Sequence, residues 1–204
     1  MFLSFHERLL RLRRLLGKVR REVMLRHQWE ERYILERKLF PLARNKLVLL
    51  VGCQDYTRDY PKRLGNQGVW TIDTDEAVSI YGATNHIVGS VVDVGRFFRG
   101  DSLDFIFMGG VIGFGLNSAI EIDTALTGSH GVLRPGGLLM IWWHPRDGQV
   151  DPRQLPGFAL FSPVVVGGYP SGYTTRQRIV LAFLEKSGGI SHSCADRDEA
   201  SSVC

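Results

Sequence analysis

At 204 residues, with 44% apolar and 23% charged residues, the chain has the size and composition of one globular domain carrying a modest extension. No apolar run approaches the ~20 residues that a membrane-spanning helix needs. Met1-Phe-Leu-Ser-Phe-His6 leads into charge rather than a secretory apolar core, and the three scattered cysteines (Cys53, Cys194, Cys204) exclude a disulfide framework and a cysteine zinc site. The expectation is a reducing, cytoplasmic compartment and no bound metal.

The net charge of +4 is unevenly spread. Residues 1–44 hold twelve Lys or Arg against five Glu, a balance of +7, which leaves −3 for the remainder. This segment has no glycine except Gly17 and no proline before Pro41. Leu9, Leu12 and Leu16 recur at helical spacing, as do Leu25, Trp29 and Tyr33. The pattern predicts one long or two consecutive amphipathic helices, with Gly17 as the point of a break. Three uses stay open for this extension: packing on the domain or over its pocket, contact with a partner or an anionic membrane surface, and nucleic-acid binding. The last is the least supported, because a basic helix alone has no base-reading pattern.

A cofactor-binding domain is expected over 45–186. Lys46–Val51 is a short apolar run ending in Gly52, which reads as a parallel strand buried on both faces. A polar segment over 55–64 follows, with Thr57 placed to cap a helix, Pro61 in its first turn and Gly65 at its end. A second strand, Val69–Asp73, ends on a carboxylate. Strand, glycine turn, helix and acid-ended strand form the first half of a nucleotide-binding unit, in which Asp73 can accept from ribose hydroxyls or cap the next helix.

Asp75–Tyr81 then reads as a short helix stopped by Gly82, and His86–Asp93 as a third strand ending on a second carboxylate. Leu103–Met108 is a fourth strand running into the glycine-bearing turn 109–115. Ser118 and Glu121 have capping-box spacing ahead of a helix. Pro135-Gly136-Gly137 turns into a fifth strand that ends at His144-Pro145. Phe158–Val166 and Arg178–Lys186 read as an antiparallel hairpin with a long loop, and 187–204 as a disordered tail. Phosphate-loop, Gly-x-Ser-x-Gly and Cys-x-x-Cys patterns are all absent from the sequence.

Five motifs in this order resemble the class I S-adenosylmethionine-dependent methyltransferases. They are Val48-Leu-Leu-Val-Gly52, Thr71-Ile-Asp73, the strand through Gly89 to Asp93, Ser102-Leu-Asp-Phe-Ile-Phe107, and Val132-Leu-Arg-Pro-Gly-Gly-Leu-Leu-Met140. The first motif is divergent: Leu50 stands where the family usually has an acid, and Gln54 and Tyr56 where it has further glycines. The frequent Gly-Asp of the third strand is Gly89-Ser90, leaving Asp93 as the nearest carboxylate.

The resemblance implies an α/β, Rossmann-like sheet of five parallel strands plus a C-terminal antiparallel hairpin, with helices on both faces. It implies S-adenosyl-L-methionine as cofactor and methyl transfer to a small or medium-sized acceptor. Gly52, Gln54, Tyr56, Asp73, Asp93, Gly109 and Gly110 are the candidate cofactor contacts. His144, at the end of a central strand, is the candidate catalytic base or else a structural residue. The turn after strand four lacks the Pro-Pro-aromatic signature of enzymes that methylate amino groups of nucleic acids, which disfavours nucleic acid as acceptor. A non-catalytic relative of the same fold is the alternative. A nicotinamide oxidoreductase is weaker still, since Gly-x-Gly-x-x-Gly is absent.

Overall fold

The computed structural model describes residues 5–146 and 148–188, with side chains described at 11, 13 and from 16 onward. Helix α1 (Phe5–Gln28) runs unbroken through Gly17, so the break expected there is absent. Trp29 alone separates it from α2 (Glu30–Ile34), which continues through a π-helical turn, Leu35–Leu39, into α3 (Phe40–Ala43). The wider π turn changes the helical phase. Ile34, Leu35, Glu36, Leu39 and Phe40 are thereby all buried, where a regular α-helix would turn part of that run to solvent.

Strand β1 (Val48–Val51) follows, then a single 3-10 turn and helix α4 (Tyr60–Leu64), with Pro61 in its first turn. Gly65 closes α4 in the left-handed conformation (φ 106°), as its place in the sequence predicts. Thr57 does not cap α4; its hydroxyl instead donates to Gln54 O (2.8 Å) and accepts from Gln54 N–H (3.0 Å), tightening the turn after β1. Next come β2 (Val69–Asp73), β3 (Asn85–Val88), α5 (Val94–Phe97) and β4 (Leu103–Gly109). The segment between β2 and β3 is a 3-10 turn, Glu76–Tyr81, started by the Asp75 side chain. Helix α6 (Ala119–Val132) begins at the expected Ser118/Glu121 capping box and leads into β5 (Leu133–Trp143).

The C-terminal part is less regular than its pattern suggests. Phe158 lies in helix α7 (Pro156–Ala159) rather than a strand, because Pro156 suits a first helical turn. Of the expected hairpin, only β6 (Ser162–Pro163) and β8 (Val180–Glu185) are strands, and a further short one, β7 (Tyr173–Thr174), lies between them. From residue 189 on, the expected tail lies outside the described residues.

The strand order is β3-β2-β1-β4-β5-β8-β6, with β7 also on β8. The first five strands are mutually parallel, and β8 is antiparallel to β5. Both two-residue strands pair antiparallel with β8 and cover its outer edge. The order reverses where β1 stands between β2 and β4, and open α/β sheets bind ligands at that point, outside the strands' carboxyl ends.

Two apolar clusters cover the two faces of the sheet. Leu49 and Val51 of β1 point into one, with Ile106, Met108, Ile141 and, from α6, Ile122, Ala125 and Leu126. Val48 and Leu50 point into the other, with Phe105, Phe107, Met140 and the N-terminal Ile34, Leu35, Leu39 and Phe40. The alternation along β1 is the two-residue period of a strand buried on both sides. The N-terminal segment is therefore part of the core from Leu25 onward, as the first of its three open uses anticipates.

Candidate functional site

A cleft of about 260 Å³ opens at the carboxyl ends of β1, β2 and β4. Gly52, Gln54, Tyr56, Asp73, Gly109 and Gly110 all line it. These six residues, spread over almost sixty positions, are brought together by the parallel register in which Val51 pairs with both Ile72 and Met108.

Its floor is built from strand-end turns. Gly52 leaves β1 with φ 88°, a conformation that a side chain would strain, and its N–H donates to Ile72 O (2.9 Å). The Cys53 N–H donates to Asp73 Oδ2 (2.7 Å), and the Asp75 N–H to Asp73 Oδ1 (3.0 Å). A carboxylate offers about four acceptor positions, so Asp73 keeps about two for a ligand. Beside it, Gly89 N–H donates to Asp73 O (2.8 Å), placing Gly89 and Ser90 on the cleft wall. The buried Cys53 thiol is pushed up to about 11 by burial first and by the Asp73 charge second, and so is unreactive near neutral pH.

Opposite the turns stands a wall of rings and apolar groups: Leu35, Tyr56, Tyr60, Phe107, Phe114 and Trp142. The Trp142 indole lies directly over Gly109, its partner in the β4–β5 register, and any side chain at 109 would collide with it. A buried carboxylate supports Tyr60 from behind. Glu36, in the π turn, accepts from Tyr60 Oη (3.1 Å) and Arg32 Nη2 (3.4 Å), and pairs with Arg63. Burial and then the Glu36 charge push the Tyr60 hydroxyl well above the usual phenol range. Arg32 also lies over the Tyr56 ring, 4.3 Å from its centroid, fixing that ring against the N-terminal helices.

Two expected residues stay outside. Strand β3 stops at Val88, and Ser90 Oγ accepts from Val92 N–H (3.2 Å), starting a helical turn that carries Asp93 away from the cleft. Asp93 pairs instead with Arg96 (3.3 Å). His144 follows the last residue of β5 and is not among the cleft residues; burial and the neighbouring Arg146 hold its imidazole below its ordinary value. Among the described residues, no group of His, Cys, Asp or Glu is arranged to hold a metal ion.

The sequence reading does not place Leu35, Tyr60, Phe107, Phe114 or Trp142 in the cleft. For Trp142 a signal existed, since two-residue alternation separates it from Trp143, which is 2% exposed and belongs to the core.

No known family model matches the chain, and no curated protein matches it. Solved structures do resemble it. The N-methyltransferase NodS from Bradyrhizobium japonicum WM9 is similar with a TM-score of 0.59 and 15% identity, over 79% of this chain and 97% of that one. A TehB-like SAM-dependent methyltransferase from Corynebacterium glutamicum ATCC 13032 gives 0.57 and 18%, over 74% and 86%. NodS in complex with S-adenosyl-L-homocysteine gives 0.50 and 17%, over 68% and 76%. With its five parallel strands, reversed antiparallel β8 and cleft at the β1 switch point, the chain has the Rossmann-like fold of the class I S-adenosylmethionine-dependent methyltransferases.

Proposed function

We propose that the protein is an enzyme that transfers a methyl group from S-adenosylmethionine to a small-molecule acceptor held in this cleft. One observation carries the reading. Six of the seven residues that the sequence marks for a nucleotide-bearing cofactor share a single cleft at the switch point, around a carboxylate with spare acceptor capacity.

The donor set suits that cofactor. Asp73 has about two acceptor positions left for ribose hydroxyls. Gly52 and Gly110 (φ 88° and 71°) keep side chains off the floor, and Gly89 with Ser90 borders the adenine side. Gln54 and Tyr56 flank the methionine side of the same turn. NodS, a neighbour of this fold, is described with S-adenosyl-L-homocysteine, which supports the cofactor class.

Bound there, S-adenosylmethionine supplies a methyl group already activated by its sulfonium. The chain's own work is alignment and exclusion of water. Leu35, Phe107 and Trp142 present apolar surface to the acceptor, and the Tyr56 and Tyr60 hydroxyls, both raised by burial, stay protonated and position rather than abstract. A cytoplasmic setting fits the free, buried Cys53 thiol.

A thermal-shift comparison of S-adenosylmethionine, S-adenosylhomocysteine and NAD tests the reading, because a ligand bound only by the native state raises its melting temperature. Stabilisation by the two adenosyl ligands and none by NAD is expected. A response to NAD alone would overturn it. Adenosyl binding with no turnover on a metabolite panel, followed with a labelled methyl donor, would move the protein to the non-catalytic class.

A further inference from the structure

Outside the cleft, α1 carries an exposed length whose ion pairs with the described body are Arg21–Glu36 (3.5 Å) and Glu22–Arg37. Every position from Leu16 to Arg21 is exposed, whereas Leu25, further along, is buried and anchors the helix to the body. The first part of α1 therefore projects. Leu16, Val19 and Val23 are 59%, 57% and 52% exposed, and their spacing of three and four residues sets them in one stripe. The sequence carries the same spacing back through positions 12, 9 and 5.

The apolar stripe alone names no occupant, but the charge beside it does. Helix α1 holds eight Lys or Arg and two Glu. At helical spacing Arg13 and Arg20 flank the stripe, with Lys18 further round, and all three are exposed, whereas Arg21 pairs with Glu36. A second copy of the helix would set eight cations against eight. Nucleic acid would engage the cations and leave Leu16, Val19 and Val23 in water. An anionic bilayer surface accepts both parts: the headgroup–acyl boundary takes the apolar stripe, and the long basic side chains reach the lipid phosphates. No described helix is long and apolar enough to cross a membrane, so the contact lies in the plane of the surface.

We propose that α1 docks the protein on an anionic membrane surface, with Leu16, Val19 and Val23 as its apolar anchors. The inference does not depend on what the cleft binds. The test is flotation of the full chain with vesicles of mixed phosphatidylcholine and phosphatidylglycerol, beside pure phosphatidylcholine vesicles. Binding to the mixed vesicles is expected, weakened by salt. The triple change Leu16→Glu, Val19→Glu, Val23→Glu should lower it by about tenfold or more. Because all three residues are exposed, circular dichroism and melting temperature should stay as in wild type, which separates lost docking from lost folding. Equal binding to both vesicle types, or undiminished binding by the folded triple variant, would overturn the proposal. So would a wild-type dimer in light scattering that the same triple change dissolves, since the stripe would then be a contact between copies.

Discussion

The two walls of the cleft are built on different principles. The turn wall (Gly52, Cys53, Asp73, Gly89, Ser90) comes from three strand ends, locked to one another by hydrogen bonds of 2.7–2.9 Å in which a backbone group is always one partner. The ring wall (Leu35, Tyr56, Tyr60, Phe107, Trp142) draws on the N-terminal helices, the segment after β1, β4 and β5, and side-chain packing and one buried ion cluster hold it together. Local chain geometry fixes the first wall, tertiary contacts the second. Changes in the ring wall should accordingly cost stability, and changes in the turn wall should cost binding in a protein that stays folded.

The largest effect is expected at Glu36. Its side chain is 0% exposed, while Arg32 and Arg63 keep 15% and 24%. Glu36→Ala strands the Arg32 and Arg63 guanidinium groups, releases the more exposed Arg21, and leaves the Tyr60 hydroxyl without its acceptor. Breaking a buried pair from one side costs about 3–5 kcal/mol; partial hydration of the two arginines points to the lower end, about 3 kcal/mol. Urea denaturation measures it. A loss below about 1 kcal/mol would mean that the ring wall stands without its ion cluster.

Gly109→Ala is the next largest. A methyl group at 109 meets the Trp142 indole well inside van der Waals contact, and overpacking of this kind costs about 1–3 kcal/mol. The same collision predicts a strong coupling between the two positions. Gly109→Ala combined with Trp142→Ala should be more stable than the two single losses add up to, by at least about 0.5 kcal/mol. Simple additivity would show that the indole swings away freely and that the wall at this point is soft.

This difference also decides what the sequence could reveal. The turn wall was legible because each part is local: a strand that ends in glycine, then a strand that ends in aspartate about 20 residues on, in the spacing of a nucleotide-binding unit. Capping at Ser118 and the stop at Gly65 were legible for the same reason. The ring wall was not, since nothing near Leu35 or Tyr60 in the chain says that a π turn will change the helical phase and bring Glu36 under Tyr60. Asp93 was misplaced by a single local event, the Ser90 cap that ends β3 early and begins a helical turn. The C-terminal hairpin was legible in topology but not in length. Only six consecutive residues of β8 pair along β5, and the outer edge is held by two-residue pieces.

On the turn wall, Asp73→Asn is the informative change. The amide oxygen can still accept from Cys53 N–H, so the turn after β1 should persist and the melting temperature should barely move. The charge is lost, and hydrogen bonds to a charged acceptor contribute about 1.5–3 kcal/mol each against about 1 for a neutral one. Affinity for S-adenosylhomocysteine by calorimetry should fall by about tenfold, or 1.4 kcal/mol. Unchanged affinity in the folded variant would remove Asp73 from the cofactor site and with it the main support for the proposed function.

The smallest effect is expected at His144, which belongs to neither wall. Its imidazole sits past the end of β5, lowered by burial and by Arg146, so it is neutral at pH 7 and chemically able to accept a proton. What it lacks is a place on the cleft surface, and general-base help requires hydrogen-bond reach of the reacting group. His144→Gln should therefore leave methyl transfer within a few-fold of wild type, whereas loss of a working base costs about 100-fold or more. A loss of that size, together with an altered acidic limb of the pH–rate profile, would bring His144 into the site. Its lowered value has a second consequence, for stability. The unfolded chain binds the proton more readily than the folded one, so this group's contribution is present above about pH 6.5 and is lost as pH falls through the lower folded value. Wild type should thus lose stability below about pH 6.5 slightly faster than His144→Gln does, a difference that His130, also lowered by burial, leaves in both proteins alike.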